Sequence, residues 1–393
     1  MRIRLPIMRI NPTGPGLKAF PPGLKGASCW DIVNGPRKNK NVLNSKAHMM
    51  TRTRILCATL TIAASLLHIE TAQSQIHTGA NTITGTESSV AGGDSNGNGG
   101  NYSTIGGGQS NTNGSDYVVI GGGAANEAVS VSADCAYSAI LGGYGNVMTD
   151  SELGMIGGGT GNQLMAGGDY SAIGGGYNNS VASNNSFLGG GSGNFVGNPY
   201  AVLGGGYENT NNAYIGTLGG GDYNRVTGTF ATVPGGLQAS ASLFGQLAHA
   251  SGDFDNVSTG GAQASEYILH GVTTGATNSE IFLDGGVFGG KRMVMQTNTT
   301  WTFDILIVAR ASNGDSAGFH TNGVVKNVYG AIYLDGTSGG TSYVPGIQKD
   351  AGLASASATL TADSGHQSID VKVAGNSSTN RWVVTVKTAE VRF

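Results

Sequence analysis

Residues that could carry catalysis or bind a metal are few and scattered in this 393-residue chain. The histidines after position 74 lie far apart, and none forms an H-x-x-x-H pair or has a cysteine nearby as a co-ligand. The string G-x-S-x-G occurs at 93–97, 314–318 and 336–340, but no helical pattern follows any of the three, as a nucleophile elbow requires, and the glycine triplets lack the lysine of a nucleotide-binding loop. From these absences the sequence predicts that the chain is not an enzyme and that it has no catalytic, cofactor or metal site.

One motif is repeated ten times between residues 85 and 240. Each copy has an aliphatic anchor, glycine at the second and third positions after it, and in nine copies asparagine at the sixth. Most successive anchors are 15 residues apart, and the longest spacing is 20. The anchors are Val90, Ile105, Ile120, Ile140, Ile156, Ile173, Leu188, Leu203, Leu218 and Val233. The asparagines are Asn96, Asn111, Asn126, Asn146, Asn162, Asn179, Asn194, Asn209 and Asn224.

A period of 15 residues is too short for a helical hairpin, and the glycine content opposes helix formation. Each copy therefore predicts two short strands, such as Tyr170–Ile173 and Ser180–Ser183, with the glycines in turns at positive φ. The recurrent asparagine suits either a left-handed turn or a hydrogen-bonded ladder along the axis. Ten copies stacked about 4.8 Å apart would form a rod of roughly 45 Å.

A coil this thin offers about two inward aliphatic side chains in each turn. Burying one contributes roughly 1.5–3 kcal/mol, whereas ordering each residue of the turn costs about 1 kcal/mol or more. We therefore predict a homotrimer in which neighbouring coils cover the anchor row, with a monomeric solenoid as the alternative. Tyrosines three residues before several anchors, Tyr170 and Tyr200 among them, suit either stacking on a sugar ligand or packing between coils.

Alternation with a period of two replaces the glycine repeat from about residue 261. Trp301, Phe303, Ile305, Ile307 and Ala309 share one face of a predicted strand, and turn dipeptides such as Asn313-Gly314 separate the runs. The sequence predicts an antiparallel sandwich or small barrel of seven or eight strands. The fold class is therefore all-β, a glycine-rich solenoid followed by an antiparallel domain.

The beginning of the chain has the pattern of an export signal. Arg52 and Arg54 precede an apolar run from Ile55 to Ile69, and cleavage is expected before Gln75. We predict a signal peptide at 49–74, translation from Met49 or Met50, and an over-extended reading frame at 1–48, with a genuine pro-extension as the alternative. The remaining boundaries are a linker at 75–84, a solenoid at 85–240, a transition at 241–260 and a C-terminal β-domain at 261–393.

Charge is distributed unevenly along the chain. Residues 1–74 hold 11 of the 21 lysines and arginines, which leaves residues 75–393 with 10 basic and 22 acidic residues. This acidic balance predicts no nucleic-acid partner. The mature part has no apolar run long enough to predict a membrane-spanning helix, and Cys135, its one cysteine, cannot form an internal disulfide.

Two segments carry resemblances to known families. YSAIGGGYNNSVASNNSFLGGGSGN at 170–194 and YAVLGGGYEN at 200–209 resemble the YadA-like head repeats of trimeric autotransporter adhesins. That resemblance implies a left-handed parallel β-roll that forms trimers and presents a binding surface. The period here is longer than the family's, and no coiled-coil stalk or membrane anchor is recognisable, so the resemblance covers the head alone. RWVVTVKTAEVRF at 381–393 and related runs are similar to a C-terminal domain of phage tail-fibre-like and bacterial surface proteins, which implies a trimeric cap with receptor contacts.

These features together predict a secreted, trimeric, adhesin-like fibre of the cell surface that binds a glycan or another surface ligand. One alternative is a secreted carbohydrate-binding protein that acts through the C-terminal β-domain. A second alternative is a solenoid enzyme that degrades polysaccharides.

Overall fold

The computed structural model describes residues 79–130, 136–254 and 259–393. The predicted extension at 1–48, the predicted signal peptide at 49–74 and Cys135 lie outside the described residues. Within the described residues the chain is all-β apart from one 3₁₀ turn at Ala351–Leu353, which confirms the predicted fold class.

The solenoid consists of two parallel sheets joined by turns, and it runs from Thr82 to Ser251, beyond both ends of the predicted 85–240 segment. Sheet A stacks Thr82–Ile83, Gly97–Asn98, Thr112–Asn113, Glu127–Val129, Val147–Thr149, Gln163–Leu164, Ser180–Val181, Phe195–Val196, Thr210–Asn211, Arg225–Val226 and Ser240–Ala241. The solenoid part of sheet B stacks Ser89–Val90, Thr104–Ile105, Val119–Ile120, Ala139–Ile140, Met155–Ile156, Ala172–Ile173, Phe187–Leu188, Val202–Leu203, Thr217–Leu218, Thr232–Val233 and Leu247–Ser251, with Gly236–Leu237 pairing the end of the last strand.

The predicted anchors form the inward row of sheet B in exact repeat register, for example Ile173 beside Leu188 and Leu188 beside Leu203. Sheet A faces them with its own inward row, which includes Leu164, Val181 and Val196. All of these side chains are fully buried within a single chain. The two rows therefore provide a continuous apolar core along the axis of the coil.

This burial corrects the physical reason given for a trimer. The prediction assumed that neighbouring coils must cover the anchor row, yet Ile105, Ile173 and Leu203 are 0% exposed without any partner chain. Each turn of the coil contributes one inward side chain from sheet A and one from sheet B. Because the two sheets pack against each other, sheet A covers the anchor row of sheet B within the same chain. The homotrimer itself stays a prediction, and its interface must be formed by a surface other than the anchor row.

The strands are shorter than predicted, and the tyrosine position explains the difference. Sheet B begins at Ala172 in this coil rather than at Tyr170, because Tyr170 adopts a left-handed conformation with φ of 56°. The sheet A strand likewise covers Ser180–Val181 rather than extending to Ser183. Each coil is therefore mainly turns, held together by two-residue ladders.

The glycine triplets make the turn after each sheet B strand, as predicted. Gly176 has a φ of +99°, and a Cβ built there would lie 2.2 Å from the carbonyl oxygen of Gly191 in the next coil. A side chain is excluded by both the backbone angle and the spacing between coils. The triplet is therefore what allows successive turns to stack.

The recurrent asparagines form a buried ladder rather than left-handed turns. Asn179 donates from Nδ2 to the Gly175, Gly191 and Asn162 oxygens at 2.9–3.0 Å. Its Oδ1 accepts from the backbone N–H and the Nδ2 of Asn194, both at 3.1 Å. One amide therefore satisfies its own turn and ties together three successive coils, which accounts for the repetition of this residue.

The C-terminal domain consists of two antiparallel sheets that enclose a common core, so it is a sandwich rather than a barrel of its own. Sheet B continues into this domain through Ala262–Thr274, Thr379–Arg392, Thr299–Ala311, Ser316–Val328, Ala331–Leu334, Thr337–Ser338 and Gly346–Lys349. The second sheet, sheet C, contains Ser279–Ile281, Met293–Val294, Thr341–Val344, Ser357–Asp363 and Ser368–Ala374.

The alternation predicted for this domain is confirmed. Trp301, Phe303, Ile305 and Ile307 are buried, whereas the intervening Leu306 faces outward. The predicted number of seven or eight strands is wrong for residues 259–393, since six strands have seven or more residues and six are shorter. The short strands lie in segments whose alternation covers only two to four residues, which is too few to recognise.

The two parts of the protein share a sheet. Leu247–Ser251, the last solenoid strand, pairs antiparallel with Ala262–Thr274, so that Leu247 lies opposite Glu266. Beside this pairing, the Gln263 amide accepts from the Ser240 N–H at 2.9 Å and donates to the Ser240 carbonyl at 3.0 Å. The Gln263 side chain thus takes the place of the next coil's peptide group and closes this end of sheet A.

Candidate functional site

Exposed aromatic and aliphatic side chains form a ridge along one corner of the solenoid, three residues before eight of the ten anchors. Its members adopt a left-handed backbone, which is unfavourable for bulky residues. This aromatic ridge consists of Tyr102, Tyr117, Tyr137, Leu153, Tyr170, Tyr200, Ile215 and Phe230. Because this unfavourable backbone conformation recurs at exposed positions, we infer that the side chains there have a role in packing or in binding.

Part of the ridge is explained by packing between coils. The ring of Tyr117 stacks on Tyr102 at 5.1 Å and on Tyr137 at 4.7 Å between centroids. Tyr200 makes an edge contact with Tyr214 at 5.9 Å. The two predicted ligand-stacking residues, Tyr170 and Tyr200, are 58% and 50% exposed, but they lie two coils apart with Asn185 between them. The structure thus places them on one ridge without bringing them together.

A groove lies where the last coils meet the C-terminal domain. Its larger lobe has a volume of about 550 Å³, and its second lobe has a volume of about 410 Å³. The lobes share Thr227 and Ser242 and form what we call the junction groove. Its main lining residues are Glu208, Thr210, Tyr223, Arg225, Ser240, Gln296 and Arg392 in the larger lobe, and Phe244, Lys291, Arg292 and His366 in the second.

The solenoid wall of the groove follows directly from the repeat. Thr210, Arg225 and Ser240 occupy equivalent outward positions of sheet A in three successive coils. Their side chains therefore stand in a row about 4.8 Å apart. The opposite wall comes from the C-terminal domain, where Arg392 donates to the Thr259 carbonyl at 3.1 Å and also to Gln296. Both parts of the chain are needed to form the groove.

A buried carboxylate lies beside the groove, in a small cavity that shares Ser240, Ser242 and Gln296 with the larger lobe. Glu390 accepts from the Tyr267 hydroxyl at 2.9 Å, from the Thr388 hydroxyl at 2.7 Å and from the Gln263 amide at 3.0 Å. Burial, together with the Glu390 carboxylate, raises the pKa of Tyr267 well above its usual value, so this phenol stays a hydrogen-bond donor. The network links Gln263, which bonds the last coil at Ser240, to the Glu390 side chain of the terminal domain.

Two polar groups beside this network lack partners among the described residues. Trp301 and Thr299 line a small cavity of about 20 Å³ next to Glu390, and neither Trp301 Nε1 nor Thr299 Oγ1 has a hydrogen-bond partner. Trp382, by contrast, donates to the Thr273 hydroxyl at 2.9 Å. The cavity is large enough for one oxygen atom, either of water or of a ligand hydroxyl.

The cations of the groove differ in how they are compensated. Arg292 forms an ion pair with Glu280 at 2.7 Å, and hydrogen bonding to this carboxylate raises the pKa of Arg292. Arg225, Lys291 and Arg392 have no carboxylate within 4.0 Å among the described residues. Three uncompensated positive charges therefore line a groove in a predominantly acidic chain.

Comparisons with known proteins found no matching family model and no matching curated protein. Among solved structures, the chain is similar to the tailspike protein gp49 of Acinetobacter baumannii bacteriophage Fri1, described as a capsular polysaccharide depolymerase. The match has 8% identity, covers 79% of this chain and 70% of that one, and gives a TM-score of 0.20. A neighbour described as an enzyme contradicts the prediction that this chain is not one, and that prediction is withdrawn. A likeness at this TM-score establishes no activity for this chain.

Among the described residues, no three histidine, cysteine, aspartate or glutamate side chains lie close enough together to bind a metal ion. A search of the same residues found no helix both long and apolar enough to cross a bilayer.

The junction groove was not predicted from the sequence. Arg225 had a usable signal, because it is the one basic residue between 85 and 240. Glu390 had a usable signal, because alternation from Trp382 through Val384 and Val386 puts it in the inward phase of its strand. Gln296 had none, since it follows a two-residue strand and its place depends on the tertiary structure.

Proposed function

We propose that the chain is a secreted, homotrimeric, adhesin-like fibre of the cell surface, with a YadA-like head as the rod and the C-terminal domain as a cap that contributes to binding. The observation that supports this proposal best is an apolar stripe on the outer face of sheet B. This stripe extends along the rod, and none of the described residues covers it.

In the solenoid, the stripe occupies the position just before each anchor. Seven of the nine residues at this position from Val119 to Leu247 are apolar, and the five largest are 41–46% exposed. Those five are Val119, Met155, Phe187, Val202 and Leu247. The corresponding outward row of sheet A is mostly polar and includes Glu127, Gln163 and Arg225. The two faces of the rod therefore differ in character.

The stripe continues into the terminal domain because sheet B does. Ile268 and Leu306 flank Thr385 across the strands, and Val383 lies beside Val308. These four aliphatic side chains point outward and are 43–55% exposed. Contiguous exposed apolar surface of this kind is typical of an interface.

A second copy of this chain is the occupant that fits such a stripe. Its side chains recur with the 15-residue period along a rod of about 50 Å, so a partner with the same period matches it along its whole length. Rotational symmetry then closes the assembly without open-ended growth. The YadA-like resemblance of the repeats implies three copies, which is why we propose a trimer.

The matched variants Met155→Glu and Gln163→Glu test this arrangement. Both residues are exposed in one coil, on sheet B and sheet A respectively. We expect the unmodified protein to sediment at three times the chain mass. Met155→Glu should weaken the trimer by about tenfold or more, because it buries like charges around the axis, whereas Gln163→Glu should not. A folded monomer of the unmodified protein at low concentration would refute the trimer.

Secretion is supported by the leader pattern at 49–74 in the sequence. We expect the exported protein to begin at Gln75, which N-terminal sequencing of culture medium would reveal. An intracellular product that keeps residues 49–74 would contradict export.

A further inference from the structure

We infer that the junction groove binds a segment of an anionic polysaccharide. This inference rests on the proposed binding role of the fibre and adds the site and the class of ligand. The groove is independent of the proposed trimer contact, because its solenoid wall belongs to sheet A and the stripe belongs to sheet B.

The shape and lining of the groove suit a sugar chain better than an apolar ligand. Hydroxyl and amide side chains predominate in the larger lobe, where Gln296 is exposed, Thr210 is half-buried and Ser240 is mostly buried. Tyr223 contributes one exposed ring at its edge, where a sugar face can stack. The second lobe adjoins the larger one at Thr227 and Ser242 and extends past Phe244, which gives the groove room for more than one sugar unit. Pockets for small apolar ligands, by contrast, have mainly hydrophobic walls.

Charge favours an anionic chain over a neutral one. Arg225 and Arg392 line the larger lobe and Lys291 lines the second, and none is paired with a carboxylate of the described residues. Four of the ten basic residues after position 74 line this groove. A guanidinium binds a carboxylate or a sulfate through two parallel hydrogen bonds, which makes it suited to either acidic group.

The two carboxylates at or beside the groove, Glu208 and Glu390, are outnumbered by its three unpaired cations. Glu390 already accepts three hydrogen bonds from protein donors and is buried. Glu208 accepts from the Tyr207 hydroxyl, an interaction that raises the pKa of Tyr207 to about 12. Both acids accept from neutral protein donors and keep their negative charge, so three unpaired cations and two carboxylates leave the site a net charge of +1.

The small cavity behind the larger lobe adds a second argument for a hydroxyl-bearing ligand. Trp301 and Thr299 are almost completely buried, and their polar atoms lack partners in the described residues. An unmade hydrogen bond of this kind is costly, and a sugar hydroxyl entering the cavity can accept from Trp301 Nε1 and bond with Thr299. The ligand would then satisfy groups that the protein leaves unsatisfied.

The test measures binding of the full exported chain to polygalacturonate, dextran sulfate and neutral dextran by calorimetry. We expect binding to at least one of the two anionic polymers, weakening as sodium chloride rises from 50 to 500 mM, and none to dextran. Preference for polygalacturonate would assign the site to carboxylated chains, and preference for dextran sulfate to sulfated ones. Equal binding to dextran would overturn the anionic class, and binding to none of the three would overturn the inference.

Arg225→Gln should weaken binding about tenfold, because one charge-assisted contact is lost. Arg310→Gln is the control. Its guanidinium is exposed and bonds Ser316, and it lies eleven residues along the strand from Thr299, about 36 Å from the groove. Thr299→Val should weaken binding without lowering thermal stability, since the lost hydroxyl has no partner among the described residues and valine keeps the shape of the side chain. Equal effects of Arg225→Gln and Arg310→Gln would contradict the site. Solution mass measured on the same samples separates this result from failure of the trimer.

Discussion

The asparagine ladder makes a strong prediction about stability, which the substitution Asn179→Ala tests. Asn179 is fully buried in the middle of the rod, and its amide takes part in five hydrogen bonds with residues of three coils. Alanine removes all five and leaves buried partners unsatisfied, at a net cost of about 1 kcal/mol for each bond. We expect a loss of about 3–5 kcal/mol, at the upper end for single substitutions.

The matched control is the neighbouring asparagine. Asn178 is exposed, and its left-handed backbone with φ of 51° suits glycine, so Asn178→Gly removes an amide without breaking the ladder. Its free energy of unfolding should change by about 0.5 kcal/mol or less. The pair therefore compares the same lost group at a buried and an exposed position.

The assay is urea unfolding followed by circular dichroism, combined with amide hydrogen exchange. Asn179→Ala should lower the urea midpoint by about 1 M or more. The Asn194 N–H, which donates to Asn179 Oδ1, should lose protection first. If the two variants shift the midpoint equally, or if Asn194 keeps its protection, the ladder does not hold the coils together.

Three further perturbations follow from described contacts. Gly176→Ala should cost more than about 3 kcal/mol in urea unfolding, because a Cβ would overlap the Gly191 carbonyl, and a shift below 1 kcal/mol would contradict this spacing. Spectrophotometric titration should show one phenol ionising near pH 12, since hydrogen bonding to Glu208 raises the pKa of Tyr207 to about 12. Its contribution to stability should be complete below about pH 10 and should disappear as the pH rises through 12. In the Gln263→Leu variant, the last coils should unfold at a lower urea concentration than the middle coils, and amide hydrogen exchange at Ser240 would report this. Uniform protection along the solenoid would show that the Gln263 side chain does not hold the last coil in place.

The sequence predicted the solenoid well because its period is local and is repeated many times. Glycine and asparagine recur at fixed distances from each anchor, so the turn and the ladder could both be anticipated from residues such as Gly176 and Asn179. The left-handed backbone conformation of the ridge tyrosines could not be anticipated, because tyrosine, as at Tyr170, has a strong preference for β-strands. Its conformation is imposed by the coil rather than by the residue.

The assembly and the groove were harder to predict, for different physical reasons. The argument for a trimer failed at Ile173, because a sequence does not show that sheet A will cover sheet B in the same chain. The groove combines Arg225 of a late coil with Arg392 near the end of the chain. Nothing local connects these positions, and only the pairing of Leu247–Ser251 with Ala262–Thr274 brings them together.

The way the last coil is closed has a consequence for how such a rod can change length. Each coil contacts its neighbours alone, so gaining or losing one 15-residue unit alters the reach of the fibre by a step of about 4.8 Å. The terminal domain need not change, because duplication of an internal coil leaves the last coil, which it contacts at Ser240 and Gln246, as it was. The antiparallel strand at Ala262–Thr274 also occupies the edge on which another molecule's sheet B could otherwise extend. Length can therefore vary by duplication, while that end of the sheet remains closed to runaway polymerisation.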